Sequence, residues 1–268
     1  MLKTGLVFAV ALASLALDQP SPLALARQFY NDQQYDKAIV AASEARRAPA
    51  AADAAAVVLA RAHLERFRQA ATSNPADLAA ARDALRQVDP SKLSPRDEAE
   101  FVIGLGESVF FDDEFSAAAE FFEAALAKTD SLDPAGHDRL FEWWAGALDR
   151  QAQLGPEAER KPLYARIVER AEAELRRDDK SASACYWLVA GARGTDDLER
   201  AWGAALACWV RAPYSGRRGV LLRGDLDQIV TQVIIPELAR LLSEAGDPRP
   251  AMAILQARWE ETKQKWGG

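Results

Sequence analysis

From residue 22 to residue 266, apolar side chains recur at three- and four-residue spacing, and Pro, Gly, Asn or Asp interrupts the pattern roughly every 12 to 20 residues. A strand needs a period of two, so this punctuation confines the chain to a series of helices, each with one buried stripe. Alanine supplies about a fifth of the 268 residues, and it is the side chain that loses least on entering a helix. The fold class predicted is all-α, with helices over 22–32, 35–47, 51–70, 76–88, 95–111, 114–128, 134–153, 157–177, 181–193, 196–211, 218–243 and 248–266. These form six consecutive antiparallel pairs. Ser94-Pro95, Asp133-Pro134 and Asp247-Pro248 each set a capping side chain before a proline whose missing N–H costs nothing at a helix start.

Two pairs align without a gap. Leu25, Ala26, Phe29, Tyr35, Ala38, Ala42 and Ala45 match Leu105, Gly106, Val109, Phe115, Ala118, Phe122 and Ala125 position for position. The small members (Ala26, Gly106, Ala38, Ala118, Ala45, Ala125) let antiparallel backbones approach closely, while Phe122 and its like fill the space between pairs. A third segment, with Trp187, Gly191, Ala201, Ala205 and Pro213, follows the scheme with two residues missing from its turn. The pattern resembles the tetratricopeptide repeat, a helix–turn–helix of about 34 residues with Leu-Gly and then alanine and an aromatic in its second helix. The resemblance implies a right-handed α-α superhelix, a solenoid of about six antiparallel pairs. It covers most of the chain in architecture and about a third of it in motif.

Met1 to Ala16 carries Lys3, an apolar run from Leu6 to Ala13 and small residues before Leu17, the pattern of a secretory signal too short to span a bilayer. The organisation expected is a signal over 1–16, repeats over 17–215 and a helical capping region over 216–268. The mature protein is expected to be exported, periplasmic or secreted, with no integral membrane span. Outside the cytoplasm Cys185 and Cys208 meet oxidising conditions. They fall at one end of one helical hairpin, which suits either a disulfide or two small apolar core residues.

Acidic residues outnumber basic ones 40 to 33, for a formal net charge of −7, which argues against nucleic acid as a partner. Nucleophilic catalysis lacks a setting, since His63 and His137 are the two histidines and neither adjoins a recognisable Ser or Cys motif. No phosphate-binding loop, dinucleotide fingerprint or Cys-x-x-Cys pair occurs, so no cofactor and no metal are expected. Asp112-Asp113-Glu114 is the one dense carboxylate cluster, and its place between paired helices suits a turn and a cap. Arg223-Gly224-Asp225 spells a tripeptide that adhesion receptors recognise, and chance suffices to explain it. Arg217, Arg218 and Arg223 form a basic run suited to an acidic partner or to a solvated turn.

Stacked pairs present the first helix of each pair on an inner face. In the register above, Arg27, Tyr30, Asn31, Glu107, Phe110 and Phe111 point into that groove, with Trp143 and Trp144 divided between groove and core. Aromatics with a few polar hooks suit an extended peptide or an amphipathic helix. The expected function is therefore a non-catalytic scaffold of the cell envelope, monomeric outside its complex, binding a peptide or partner subunit. The alternatives are a component of a transport or assembly complex with an apolar pocket, and a helical-ring hydrolase.

Overall fold

The computed structural model describes residues 20–70, 74–128, 132–244 and 246–267; the signal expected over 1–16 lies outside them. Every regular element among the described residues is a helix. In chain order they are α1 (Pro22–Asn31), α2 (Tyr35–Ala45), α3 (Ala52–Gln69), α4 (Pro75–Arg86), α5 (Pro95–Phe110), α6 (Phe115–Leu126), α7 (Pro134–Leu154), α8 (Glu157–Arg177), α9 (Ala182–Gly194), α10 (Leu198–Arg211), α11 (Arg217–Ile229), α12 (Ile235–Leu242) and α13 (Arg249–Trp266). A π-helical turn over Val230–Ile234 joins α11 to α12, giving the single rod read over 218–243. Pro236 stands in the first turn of α12. A proline there offers no N–H and crowds the carbonyl four residues back, which explains the widened turn.

The caps explain where the helices begin. Ser94 Oγ accepts from the Asp97 N–H at 3.2 Å, and Asp133 Oδ1 accepts from the Gly136 N–H at 2.6 Å. Each is worth about 1 kcal/mol. Turns repeat as well. Gln33, Asp113 and Asp196 have φ near +60° (59°, 63° and 62°). In each case the same two backbone bonds close the turn: Gln33 N–H to Tyr30 O and Gln34 N–H to Phe29 O, with Asp113, Glu114, Asp196 and Asp197 repeating them. The turn before α10 thus has the length of the other two. The two-residue deficit read from Gly191 is corrected: the glycine has moved along α9 and the turn is intact.

First helices form a row, with α1 on α3, α3 on α5, α5 on α7, α7 on α9 and α9 on α11. Each second helix packs on its own first helix and on the first helix of the next pair. Ala26, Ala38, Ala45, Ala118, Phe122 and Ala125 are buried, as is Gly106. A Cβ on Gly106 would lie 2.6 Å from Phe122 Cε1, so only hydrogen fits where α5 meets α6.

Cys185 on α9 and Cys208 on α10 form a disulfide, with their Cα atoms 5.6 Å apart. Both are also fully buried within the last apolar cluster. Of the two alternatives that the sequence left open, the structure takes the disulfide and not the pair of free core thiols.

Candidate functional site

The row of first helices gathers the carboxyl ends of α1, α3 and α5 beside α7, α9 and the start of α11. The groove between them has a volume of about 1080 Å³. On α7, Arg139, Glu142, Trp143 and Gly146 follow at i, i+3, i+4 and i+7, which places all four on one helix face and along the groove. The floor is aromatic. Trp143 meets Phe110 edge-on at 5.1 Å and Phe111 at 5.9 Å, and it stacks on Phe122 at 5.7 Å. Phe67 meets Phe111 at 4.9 Å from the α3 side. Ring pairs of this geometry add about 0.5–1.5 kcal/mol each, so the floor is held in place before any ligand arrives. Trp187 of α9 extends it.

Gly146 sits in the interior of a 21-residue helix, where glycine costs roughly 1 kcal/mol relative to alanine. No close backbone approach requires it. A Cβ there would meet only Trp187 Cζ2, at an ordinary 3.8 Å. Its effect is to leave the floor open.

The charges of the groove are unequally satisfied. Glu65 binds Arg68 at 2.7 Å, and Arg68 also lies over the Trp143 ring. Arg218 binds Asp138 and, at 3.0 Å, Glu142, which ties α11 to α7. Burial raises the Glu142 carboxyl above its ordinary range, and Arg218 opposes that shift. Among the described residues, Arg139 and Arg217 have no carboxylate within ion-pairing distance.

The structure divides the residues expected in the groove. Asn31, Phe110 and Phe111 line it, and Trp143 rather than Trp144 faces it, Trp144 being 3% exposed in the core. Arg27 and Tyr30 line a separate cleft of about 30 Å³ between α1, α3 and α5, room for about one water. Arg27 is held there by Asp97 at 2.7 Å. Glu107 does not reach the groove: it is 1% exposed, because α3 covers the face of α5 that carries it.

Beneath the groove, Arg61 is buried between Glu107 at 3.2 Å and Glu100 at 3.0 Å, and it donates to the Tyr30 hydroxyl at 2.8 Å. Burial raises the Tyr30 pKa. Burial also pushes the Glu107 carboxyl up to about 8, against the pull of Arg61 and with the help of Glu65 and Glu100. Two carboxylates share one guanidinium here, so the deeper one keeps its proton near neutral pH.

The other groups weighed from sequence have local partners. His137 Nε2 meets Glu174 at 2.8 Å; burial disfavours the Glu174 charge, but hydrogen bonds from His137, Arg170 and Arg177 outweigh it and hold the carboxyl at about 2. His63 and Arg66 share Asp77. Asp112 and Asp113 lie in the turn before α6, with Asp112 paired to Arg82. Arg223, Gly224 and Asp225 lie within α11, where Arg223 binds the Trp266 and Gly267 carbonyls. Among the described residues no three His, Cys, Asp or Glu side chains gather to hold a metal ion. Among the described residues no helix is long and apolar enough to cross a membrane.

No protein-family model, curated protein or solved structure matches the chain. The site therefore has to be read from its own chemistry. Sequence reasoning missed Arg68, Arg139, Gly146 and Trp187. The α7 residues carried a usable signal, since their spacing puts a cation, an indole and a glycine on one face. Trp187 carried none, because its aromatic identity suits core and groove equally.

Proposed function

We propose that the chain is a non-catalytic binding module, a tetratricopeptide-like right-handed superhelix of six pairs, exported to the cell envelope. Its groove receives an extended segment of a partner protein. The observation that carries this reading is the preorganised aromatic floor left open by Gly146. Large rigid rings bind a peptide at small entropic cost. Polar walls favour a peptide over an apolar solute, and the engagement of Glu65 and Glu142 by Arg68 and Arg218 speaks for recognition over hydrolysis.

Gly146→Leu is the decisive variant, because its side chain extends into the groove without entering the core. Random 12-residue peptides displayed on phage are selected on the immobilised full chain. Enriched peptides should lose about tenfold or more in affinity for Gly146→Leu, while the variant's melting temperature is equal to or above that of the parent. Enriched peptides that bind Gly146→Leu as tightly as the parent would place their site elsewhere.

A further inference from the structure

The charge left over in the groove points to the chemistry of its occupant. This chain carries an excess of acid, 40 to 33, and two of the four arginines that line the groove already hold carboxylates: Arg68 holds Glu65, and Arg218 holds Asp138 and Glu142. Arg218 is thus shared between two carboxylates, and Asp225 of α11 lines the adjoining cleft. What remains on α7 and α11 is two unmatched guanidinium groups, Arg139 and Arg217, beside an apolar floor. Asp32, just beyond the end of α1, is an exposed acid of the same lining, between the exposed amides of Asn31 and Gln33.

Resting on the peptide-binding reading above, we infer that the occupant is an acidic peptide segment, with one or two Asp or Glu side chains at the α7–α11 end next to an aromatic or branched aliphatic side chain. Guanidinium forks bind carboxylates bidentately, and such bonds are roughly twice as strong as neutral ones. The floor between Trp143, Phe111 and Trp187 takes the apolar side chain. A flat anionic bilayer suits the site less well, because the rings that line the groove are half-buried or buried while Arg139 and Arg217 are exposed.

The selection described above supplies the probe. The best enriched peptide is synthesised with a fluorescent label, together with a copy whose Asp and Glu are replaced by Asn and Gln, and both are titrated by fluorescence anisotropy. The acidic peptide is expected to bind about tenfold or more tightly than its neutral copy, and to weaken steeply as salt rises from about 50 to about 500 mM. Arg139→Gln with Arg217→Gln should remove that advantage while leaving the neutral copy's affinity unchanged. Arg139→Glu with Arg217→Glu should turn selection toward Lys- and Arg-containing peptides. Both arginines are at the surface and bind no carboxylate, so these variants keep the fold, and circular dichroism checks it.

Equal binding of acidic and neutral peptides, with both lost in Gly146→Leu, would overturn the acidic preference and leave the groove standing. No enriched peptide, or one indifferent to Gly146→Leu, would overturn the groove and this inference with it. Sedimentation with phosphatidylglycerol vesicles that depends on Arg139 and Arg217, in the absence of peptide enrichment, would reassign the patch to anionic lipid and overturn the proposal.

Discussion

The first and last thirds of the molecule bury their helices with opposite materials. Between α1 and α5 the core is mainly alanine and leucine, with Ala26, Ala42, Ala60, Ala81, Ala84 and Leu64 at its centre and the charged cluster of Arg61, Glu100 and Glu107 below the groove. Between α9 and α13 it is built from Trp202, Trp209 and Trp259 with Val230, Ile234 and Ile235, and the Cys185–Cys208 bond crosses it. Close backbone approach holds the first region, so it is sensitive to added volume and to protons. Large interlocking side chains and a covalent link hold the second, which is sensitive to lost volume. The groove lies between them, fixed at one end by small-residue packing and at the other by Arg218.

The largest effect should come from emptying the carboxyl-terminal core. Trp259 is fully buried, packs on Trp209 at 5.1 Å and donates its indole N–H to Asp227 at 2.8 Å. Trp259→Ala should cost about 3–5 kcal/mol in urea unfolding. Loss of less than about 1 kcal/mol would mean that the tryptophans do not anchor this end.

Added volume should act where α5 of the first region meets α6 of the middle cluster. Gly106→Ala forces a methyl group against Phe122 and should cost about 1–3 kcal/mol. Phe122→Leu in the same chain should recover part of that loss, since it withdraws the ring atoms in conflict. An additive double variant would show that α5 and α6 do not meet as closely as described.

Protons should separate the two regions more finely. The Glu107 carboxyl has an ordinary value of 4.5 and a folded value of about 8, so between these values the folded chain holds a proton that the unfolded chain has released. Its contribution to stability is full below about pH 4.5 and declines as pH rises toward 8. Glu174, with a folded value of about 2, acts in the opposite direction and only below its ordinary 4.5. From pH 5 to pH 8.5 the Glu107 effect therefore stands alone of the two. After division by the intrinsic, base-catalysed exchange rate, protection in α1, α3 and α5 should fall over that range by more than protection in α9 to α13. Glu107→Gln should flatten the dependence, and an unchanged slope in that variant would remove Glu107 as its source.

The smallest change concerns the groove between them. Gly146→Ala should raise stability by about 0.5–1 kcal/mol through helix propensity alone, read as a higher melting temperature. A loss would reveal a backbone need for glycine that the open space around it does not show.

The helices were legible because periodicity and caps act within a few residues of each other. Ser94, Asp133 and the small positions Ala38 and Ala118 needed no knowledge of the rest of the chain. Three of the six residues expected in the groove, Asn31, Phe110 and Phe111, do line it, because the register of aligned pairs carries one inward face over to the next. Glu107 escaped this reasoning. It shares a helix face with residues that look inward, and only the position of α3, with Arg61 on it, makes that part of the face interior.

By itself the order of residues determined that the chain is helical, where each rod starts and stops, and which positions must stay small for rods to touch. Tertiary packing alone decided that Trp143 faces outward while Trp144 is enclosed, that Cys185 reaches Cys208, and that Arg139 and Arg217 are left without acids. The physical reason is range. Capping and periodicity are settled within one or two helical turns, whereas burial and charge balance at the edge of a stripe depend on side chains brought from distant helices.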